Sequence, residues 1–338
     1  MKILLTGGLG YIGSHTAVAL SSQGHEIILL DNLSNSDANV LDSLKAITGE
    51  SMVFYQGDVR DRKLLGTIFN KHSIEVVIHF AGLKSVAESA SDPLSYYDNN
   101  VSGSIVLIGA MKAAKIYKLI FSSSATVYGI PQYLPYDEKH PLDPINVYGK
   151  TKLQVEEILR DVALSDPVWS IAALRYFNPV GAHASGLIGE SPRGRPNNLM
   201  PYICQVASGK YSHLNVFGDD YDTKDGTGER DYIHVMDLAE GHAAALGLVN
   251  ERQGFEVINL GTGVAHSVFE LIDAFERASR QTIKKLIQER RAGDLPIYYA
   301  KAEKAKNLLH WEAKRDLQEM CESSWEFQKN LLDLNNHN

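Results

Sequence analysis

The segment Lys2–Gly13, KILLTGGLGYIG, constrains this chain more than any other stretch. Ile3, Leu4 and Leu5 form a short apolar run, long enough for a buried strand. The run breaks into Gly7, Gly8, Gly10 and Gly13, and SHTAVAL then follows with helical spacing. Strand, glycine-rich turn and helix start form the first half of a dinucleotide-binding unit. Gly7 permits the tight turn, Gly10 lets backbone approach a pyrophosphate, and Gly13 lets the helix lie close to the strand. The N–H groups at the helix start then face the phosphates. A second apolar run from Glu26 to Leu30 ends at Asp31, 18 residues beyond Gly13. That is close to the ~20 expected for the acid that binds the adenosine ribose. Asn32 and Leu33 are not basic, so nothing there suits a 2′-phosphate. The pattern predicts NAD rather than NADP.

A length of 338 residues is too great for one small core and predicts one large or two interlocked domains. The net charge of −8 excludes a general nucleic-acid binder and requires any anionic ligand to find a local basic pocket. The two cysteines, Cys204 and Cys321, fit no metal or redox spacing and read as reduced thiols. No metal is expected. The fold-forming strand begins at Lys2, so no leader is expected, and no apolar run approaches the ~20 residues of a membrane helix. A cytoplasmic location is the expectation.

Strand and helix candidates alternate through the first half. Strands are expected at Met52–Gln56, Glu75–Phe80, Lys118–Ser122 and Ser170–Tyr176. Helices are expected at Asp61–His72, Pro93–Lys115 and Asn146–Leu164. This alternation predicts a parallel sheet covered by helices on both faces. Ligands in such sheets bind at the carboxyl ends of the strands. Asp31, Asp58, Ala81-Gly82 and Ser122–Ser124 all fall at such ends. From Phe177 the chain turns rich in Gly, Pro, Asn and Ser, and a long irregular segment is expected there. Later elements are a strand at Glu256–Leu260, a helix at Val268–Ser279, a strand at Ile283–Gln288, and helical stretches near Lys301–Leu308 and Leu317–Leu331. The fold class expected is α/β: a Rossmann-type doubly wound parallel sheet with a smaller, loop-rich α/β domain. Residues 1–176 form the dinucleotide-binding domain, elements near 231–262 return to it, and 177–338 mainly form the second domain.

Tyr148 and Lys152 stand four apart on a predicted helix and share a face. A tyrosine with a pKa near ~10 is a poor base at neutral pH. A nearby ammonium should stabilise the phenolate and lower that pKa. Such a tyrosine can take a proton from a sugar hydroxyl while hydride leaves the same carbon. Lys150 is two residues away and points elsewhere. Ser124, at the end of a strand, can hydrogen-bond the reacting oxygen.

The segments TGGLGYIGSH, DNLSNS, GDVRD, VIHFAGLKSV, YYDNNV, FSSSATVYG and YGKTK resemble the extended short-chain dehydrogenase/reductase family. LRYFNPVGAH, PNNLMPYI, DGTGERDYIHVMDLA and GDLPIYYA resemble, within it, the UDP-glucose 4-epimerases. The resemblance implies UDP-glucose and UDP-galactose as substrates, retained NAD and a homodimer. It places Tyr11, Ile12, Asp31, Asn32, Asn35, Asp58, Val59, Phe80, Ala81, Gly82, Lys84, Asn99 and Phe177 in the cofactor pocket, with Ser124, Tyr148 and Lys152. For the nucleotide sugar it implies Asn178, Asn198, Leu199, Asn215, Val216, Phe217, Arg230, Arg291, Asp294 and Tyr298, again with Ser124 and Tyr148. Arg230 and Arg291 are forks suited to diphosphate oxygens. In relatives, a bulky residue at the position of Tyr298 goes with exclusion of N-acetylated sugars. The dehydratases of the family carry Thr-Asp-Glu after the fifth strand, where this chain has Ser124, Ala125 and Thr126.

Overall fold

The structure, a computed structural model, describes residues 1–192, 194, 196, 198–291 and 293–336. The first strands are β1 (Lys2–Thr6), β2 (Glu26–Asp31), β3 (Val53–Gln56), β4 (Val76–His79), β5 (Lys118–Ser124) and β6 (Ser170–Tyr176). After them come β7 (Asn178–Val180), β8 (Leu214–Phe217), β9 (Glu229–His234), β10 (Gly254–Leu260), β11 (Ala265–Ser267), β12 (Lys285–Gln288) and β13 (Ile297–Tyr298). The helices of the first half are α1 (Tyr11–Ser21), α2 (Val40–Thr48), α3 (Arg62–Lys71), α4 (Val86–Ser91), α5 (Pro93–Tyr96), α6 (Gly103–Ala113) and α7 (Val147–Ser165). Those of the second are α8 (Leu199–Ala207), α9 (Val235–Glu251), α10 (Val268–Ser279), α11 (Glu303–Leu309) and α12 (Leu317–Asn336).

Seven strands form one parallel sheet in the order β10-β6-β5-β4-β1-β2-β3. Side chains of β1 alternate between its faces, as a strand requires. Ile3 and Leu5 pack with Ala17 and Leu20 of α1 and Leu238 and Leu246 of α9. Leu4 joins Leu65 and Ile68 of α3, Leu107 and Met111 of α6, and Val155 and Leu159 of α7 on the opposite face. The sheet is therefore wound on both sides, as expected. The strand order reverses between β1 and β4, which opens a crevice at their carboxyl ends.

The chain after Phe177 builds two small sheets, one around β9 and one pairing β8 with β12. Their core joins Met200 and Ile203 of α8, Leu271 and Phe275 of α10 and Met320 of α12. Two elements cross back: β10 is an edge of the large sheet, and α9 packs beside α1.

Two local expectations change. The span Pro93–Lys115 is not one regular helix: a wider π turn at Tyr97–Ser102 separates α5 from α6. Its buried Asn100 side chain accepts from Leu83 N at 2.8 Å and donates to Leu83 O and Thr151 Oγ1 at 3.0 Å each. Such turns often mark functional sites. The irregular segment after Phe177 also contains α8, with Pro201 in its first turn. Proline is tolerated there because that N–H has no partner within the helix.

Candidate active site

The turn after β1 is bare backbone. A Cβ on Gly13 would stand 2.3 Å from the Gly7 carbonyl oxygen, and one on Gly7 would stand 2.7 Å from the Ala81 nitrogen. Gly7 has φ +67, a conformation that suits glycine. No side chain caps the start of α1, so its N–H groups at Tyr11 and Ile12 remain for an anion. The geometry fits the diphosphate of a dinucleotide.

Asp31 closes the next strand, buried. Its Oδ2 accepts from Leu9 N at 3.0 Å, and Oδ1 accepts from Leu33 N at 2.9 Å and Ser36 Oγ at 2.7 Å. A carboxylate has about four acceptor sites, so one remains for a ribose hydroxyl. Asn32 and Asn35 are exposed on the following loop, and Asn32 Nδ2 donates to Asp58 Oδ2 at 3.0 Å. Arg60 grips the Asp58 carboxylate at 2.8 Å and holds it well below the usual carboxylate range. Val59 is buried beside it. At the end of β4, Phe80 lies 4.8 Å from the His242 ring. Gly82 and Lys152 meet closely: a Cβ on Gly82 would stand 3.5 Å from Lys152 Nζ. Asn99 Nδ2 donates to Asn100 Oδ1 at 3.0 Å.

Ser124, Tyr148 and Lys152 converge above the ends of β5 and β6. Ser124 pairs in register with Tyr176, so Phe177 begins the crossing into the second half. Asn146 caps α7 by accepting from Gly149 N at 2.8 Å, which starts the helix just before Tyr148. Lys152 is 4% exposed. Its Nζ donates to the Ser122 carbonyl at 2.7 Å and lies 4.9 Å from the Phe121 ring centre and 5.9 Å from that of Tyr148. Burial pulls Lys152 down to about 8, against the pull of Glu156. Tyr148 departs from expectation. Its phenol is pushed up to about 12 by burial, with a hydrogen bond to Ser124 opposing. Lys152 is not among the groups that lower it: its ammonium donates to the Ser122 carbonyl and stands 5.9 Å from the Tyr148 ring centre.

A second cluster faces this one. On β8, Leu214 and Val216 point into the core, while Asn215 and Phe217 point outward. Val216 is thus left with only its backbone for a ligand. Arg291 covers the Phe217 ring at 4.7 Å and binds Asp294 Oδ2 at 2.9 Å. Arg230 and Tyr298 pair in register, with the guanidinium 4.6 Å from the ring. Tyr298 donates to Asn178 Oδ1 at 3.0 Å and lies 6.1 Å from Phe177. Leu199 and Asn198 begin α8. Glu190, which sequence reasoning missed, joins the two clusters: its Oε1 accepts from Lys84 at 2.8 Å and from Asn198 at 2.6 Å. Tyr11 adds a second tie, donating to the Gly181 carbonyl at 2.7 Å. Asn100 was missed as well. The doubled asparagine in YYDNNV was its only trace, since a π turn has no sequence period of its own.

Fold and cleft together define the class, an extended short-chain dehydrogenase/reductase built to hold a dinucleotide against a second ligand. The family model described as GDP-mannose 4,6 dehydratase matches residues 4–324. The UDP-glucose 4-epimerase of Neisseria meningitidis serogroup C is 56% identical over 330 residues, covering 97% of each chain. The crystal structure of the Stenotrophomonas maltophila UDP-glucose-4-epimerase with bound NAD and formylated UDP-arabinopyranose is 49% identical, with a TM-score of 0.97 and 99% of each chain covered. That of the Bifidobacterium longum UDP-glucose 4-epimerase in complex with NAD⁺ and UDP is 48% identical, with a TM-score of 0.95 over 98% of each chain. The chain belongs to the UDP-glucose 4-epimerase family.

Proposed function

We propose that the chain interconverts UDP-galactose and UDP-glucose by inverting carbon 4 of the hexose, through a transient 4-keto sugar. The observation that carries this reading is the convergence of Ser124, Tyr148 and Lys152 beside a glycine cradle, facing a cluster with two arginines. Bound NAD supplies a reversible hydride acceptor. Tyr148 takes the proton from the 4-hydroxyl and returns it after the sugar turns. Ser124 holds that oxygen in place through its hydroxyl. Lys152 is an ammonium below about 8, so at neutral pH it adds positive charge beside the phenol as the proton leaves. Arg230 and Arg291 would bind the UDP diphosphate, and Phe217 would help to hold the nucleotide. This handle anchors a hexose that must rotate.

A 4,6-dehydratase would need an acid and a base to eliminate water across carbons 5 and 6. The turn after β5 holds Ala125, Thr126 and Val127, with no carboxylate. Thr126 instead donates to Ser124 Oγ from its hydroxyl at 3.0 Å. This favours epimerase over dehydratase, although the matched family model bears a dehydratase's name. The test is incubation of the purified protein with UDP-galactose and no added cofactor. Proton NMR should show UDP-glucose. No conversion, even after NAD is supplied, would refute the reading.

Asp31 makes the cofactor NAD. A 2′-phosphate beside its carboxylate would place like charges together, so NADP should bind on the order of a hundredfold more weakly than NAD. Equal affinity by titration calorimetry would remove Asp31 from the ribose site. Tyr298 limits the sugar. Its ring is held by Asn178 and Arg230, so its bulk should oppose an N-acetyl group. UDP-N-acetylglucosamine should turn over on the order of a hundredfold more slowly than UDP-glucose. Comparable kcat/KM values would contradict that role.

The reading extends to a cytoplasmic homodimer in galactose metabolism, with residues 1–176 mainly serving NAD and 177–338 mainly the nucleotide sugar. The helices to which the resemblance assigns the dimer carry exposed apolar side chains, with Leu94 on α5, Ile105 on α6 and Leu164 on α7 at 79%, 48% and 78% exposure. Cys204 and Cys321 are free and buried, in keeping with a reducing compartment.

A further inference from the structure

One turn past Lys152 on α7 stands Glu156, with 0% exposure. Its Oε1 accepts from Arg175 Nε at 2.9 Å, and its Oε2 accepts from Arg175 Nη2 at 2.5 Å. Ser123 of β5 also donates to Oε1. Arg175 lies on β6, 1% exposed, two residues before Phe177. Its guanidinium sits 4.9 Å from the Tyr128 ring centre. Tyr128 in turn stacks on Tyr136 at 4.8 Å and 9°, and donates to Asn259 Oδ1 at 2.6 Å. Tyr136 continues to Phe177 at 6.4 Å, and Phe177 continues to Tyr298. The pair therefore touches the catalytic helix on one side and the base of the aromatic wall on the other.

Energetics give no reason for this pair to exist as a fold stabiliser. Burying two ions costs several kcal/mol per ion, and well-packed apolar replacements are often neutral or better. Geometry gives a reason. Lys152 faces Tyr148 and Glu156 from its own helix, the Phe121 ring and Ser122 carbonyl from β5, and His79 from β4. Burial keeps His79 neutral. Glu156 is thus the carboxylate that answers the Lys152 ammonium.

We propose that the buried Glu156–Arg175 pair is a positioning device for the reaction, fixing Lys152 from one turn below and, through Tyr128, the aromatic wall beside the sugar. The proposal rests on the epimerase reading for its consequence but not for its chemistry.

Two variants test it, both purified with bound NAD. Glu156→Leu with Arg175→Met keeps the site buried and apolar, so it separates stability from positioning. Its kcat should fall roughly thirtyfold, with KM for UDP-galactose within about threefold and a thermal midpoint near wild type. Glu156→Gln removes one negative charge beside Lys152 and leaves Arg175 unbalanced. Both changes disfavour the ammonium. The pH midpoint for protonation of Lys152, followed by NMR of protein carrying carbon-13 at the lysine ε-carbon, should fall by at least about half a pH unit. That titration needs no turnover, so it reads the pair even in a protein that fails to epimerise. Wild-type kcat in the double variant, or an unmoved titration midpoint in Glu156→Gln, overturns the proposal.

Discussion

Tyr148→Phe folds, keeps its NAD and loses about a thousandfold in kcat, within the range that a positioned acid–base group contributes. The change removes one oxygen. The ring stays, and so do the N-cap at Asn146 and the contact of Lys152 with Phe121. What disappears is the group that must take the proton from the 4-hydroxyl. The phenol is pushed up to about 12 by burial, with only the Ser124 bond pulling down. Bound NAD, whose nicotinamide ring is positive, and the Lys152 ammonium would supply the lowering during turnover. Stopped-flow assay of the purified variant, with NAD content measured after acid release, checks both halves of the expectation. Turnover near wild type would remove Tyr148 from the chemistry.

The second large effect is expected at Gly13. A Cβ there would meet the Gly7 carbonyl oxygen at 2.3 Å and Gly8 Cα at 2.9 Å. Both are backbone atoms, which cannot swing aside as a flexible side-chain end can. Gly13→Ala must therefore push α1 away from the turn. Overpacking of this kind costs about 1–3 kcal/mol. It also spoils the approach of backbone to the diphosphate, so the variant should purify without NAD and with a lowered thermal midpoint. Gly66, inside α3, is the control. A Cβ there meets nothing within 4 Å, so Gly66→Ala should stabilise by about 0.5–1 kcal/mol. Full NAD occupancy and an unchanged midpoint in Gly13→Ala would show that the cradle is looser than its geometry.

Much of the geometry of this candidate site was legible in the sequence, for a physical reason. Gly7, Gly13, Asp31, Tyr148 and Lys152 are placed by local geometry: a tight turn, a strand end, one face of one helix. Local geometry follows from spacing. What escaped the sequence depends on neighbours far along the chain. Asn100 works by reaching Leu83 and Thr151, and Glu190 by meeting Lys84, 106 residues away. The raised pKa of Tyr148 is a burial effect, and spacing to a lysine does not report burial. α8 was hidden by Pro201, which breaks a helix in its middle but not in its first turn. The alternation of β8 is four residues long, too short to weigh against a surrounding run of glycine and polar residues. Arg175 and Glu156 carry no signal in the sequence, because a charged residue reads as surface until its partner is in place.

The central claim is that the hydrogen on carbon 4 leaves and returns within one site. The most direct measurement uses UDP-galactose carrying deuterium at carbon 4, in ordinary water and without added cofactor. Proton NMR of the product should show UDP-glucose with deuterium still at carbon 4. Washout of the label to solvent, or accumulation of a keto sugar in place of UDP-glucose, would contradict the account.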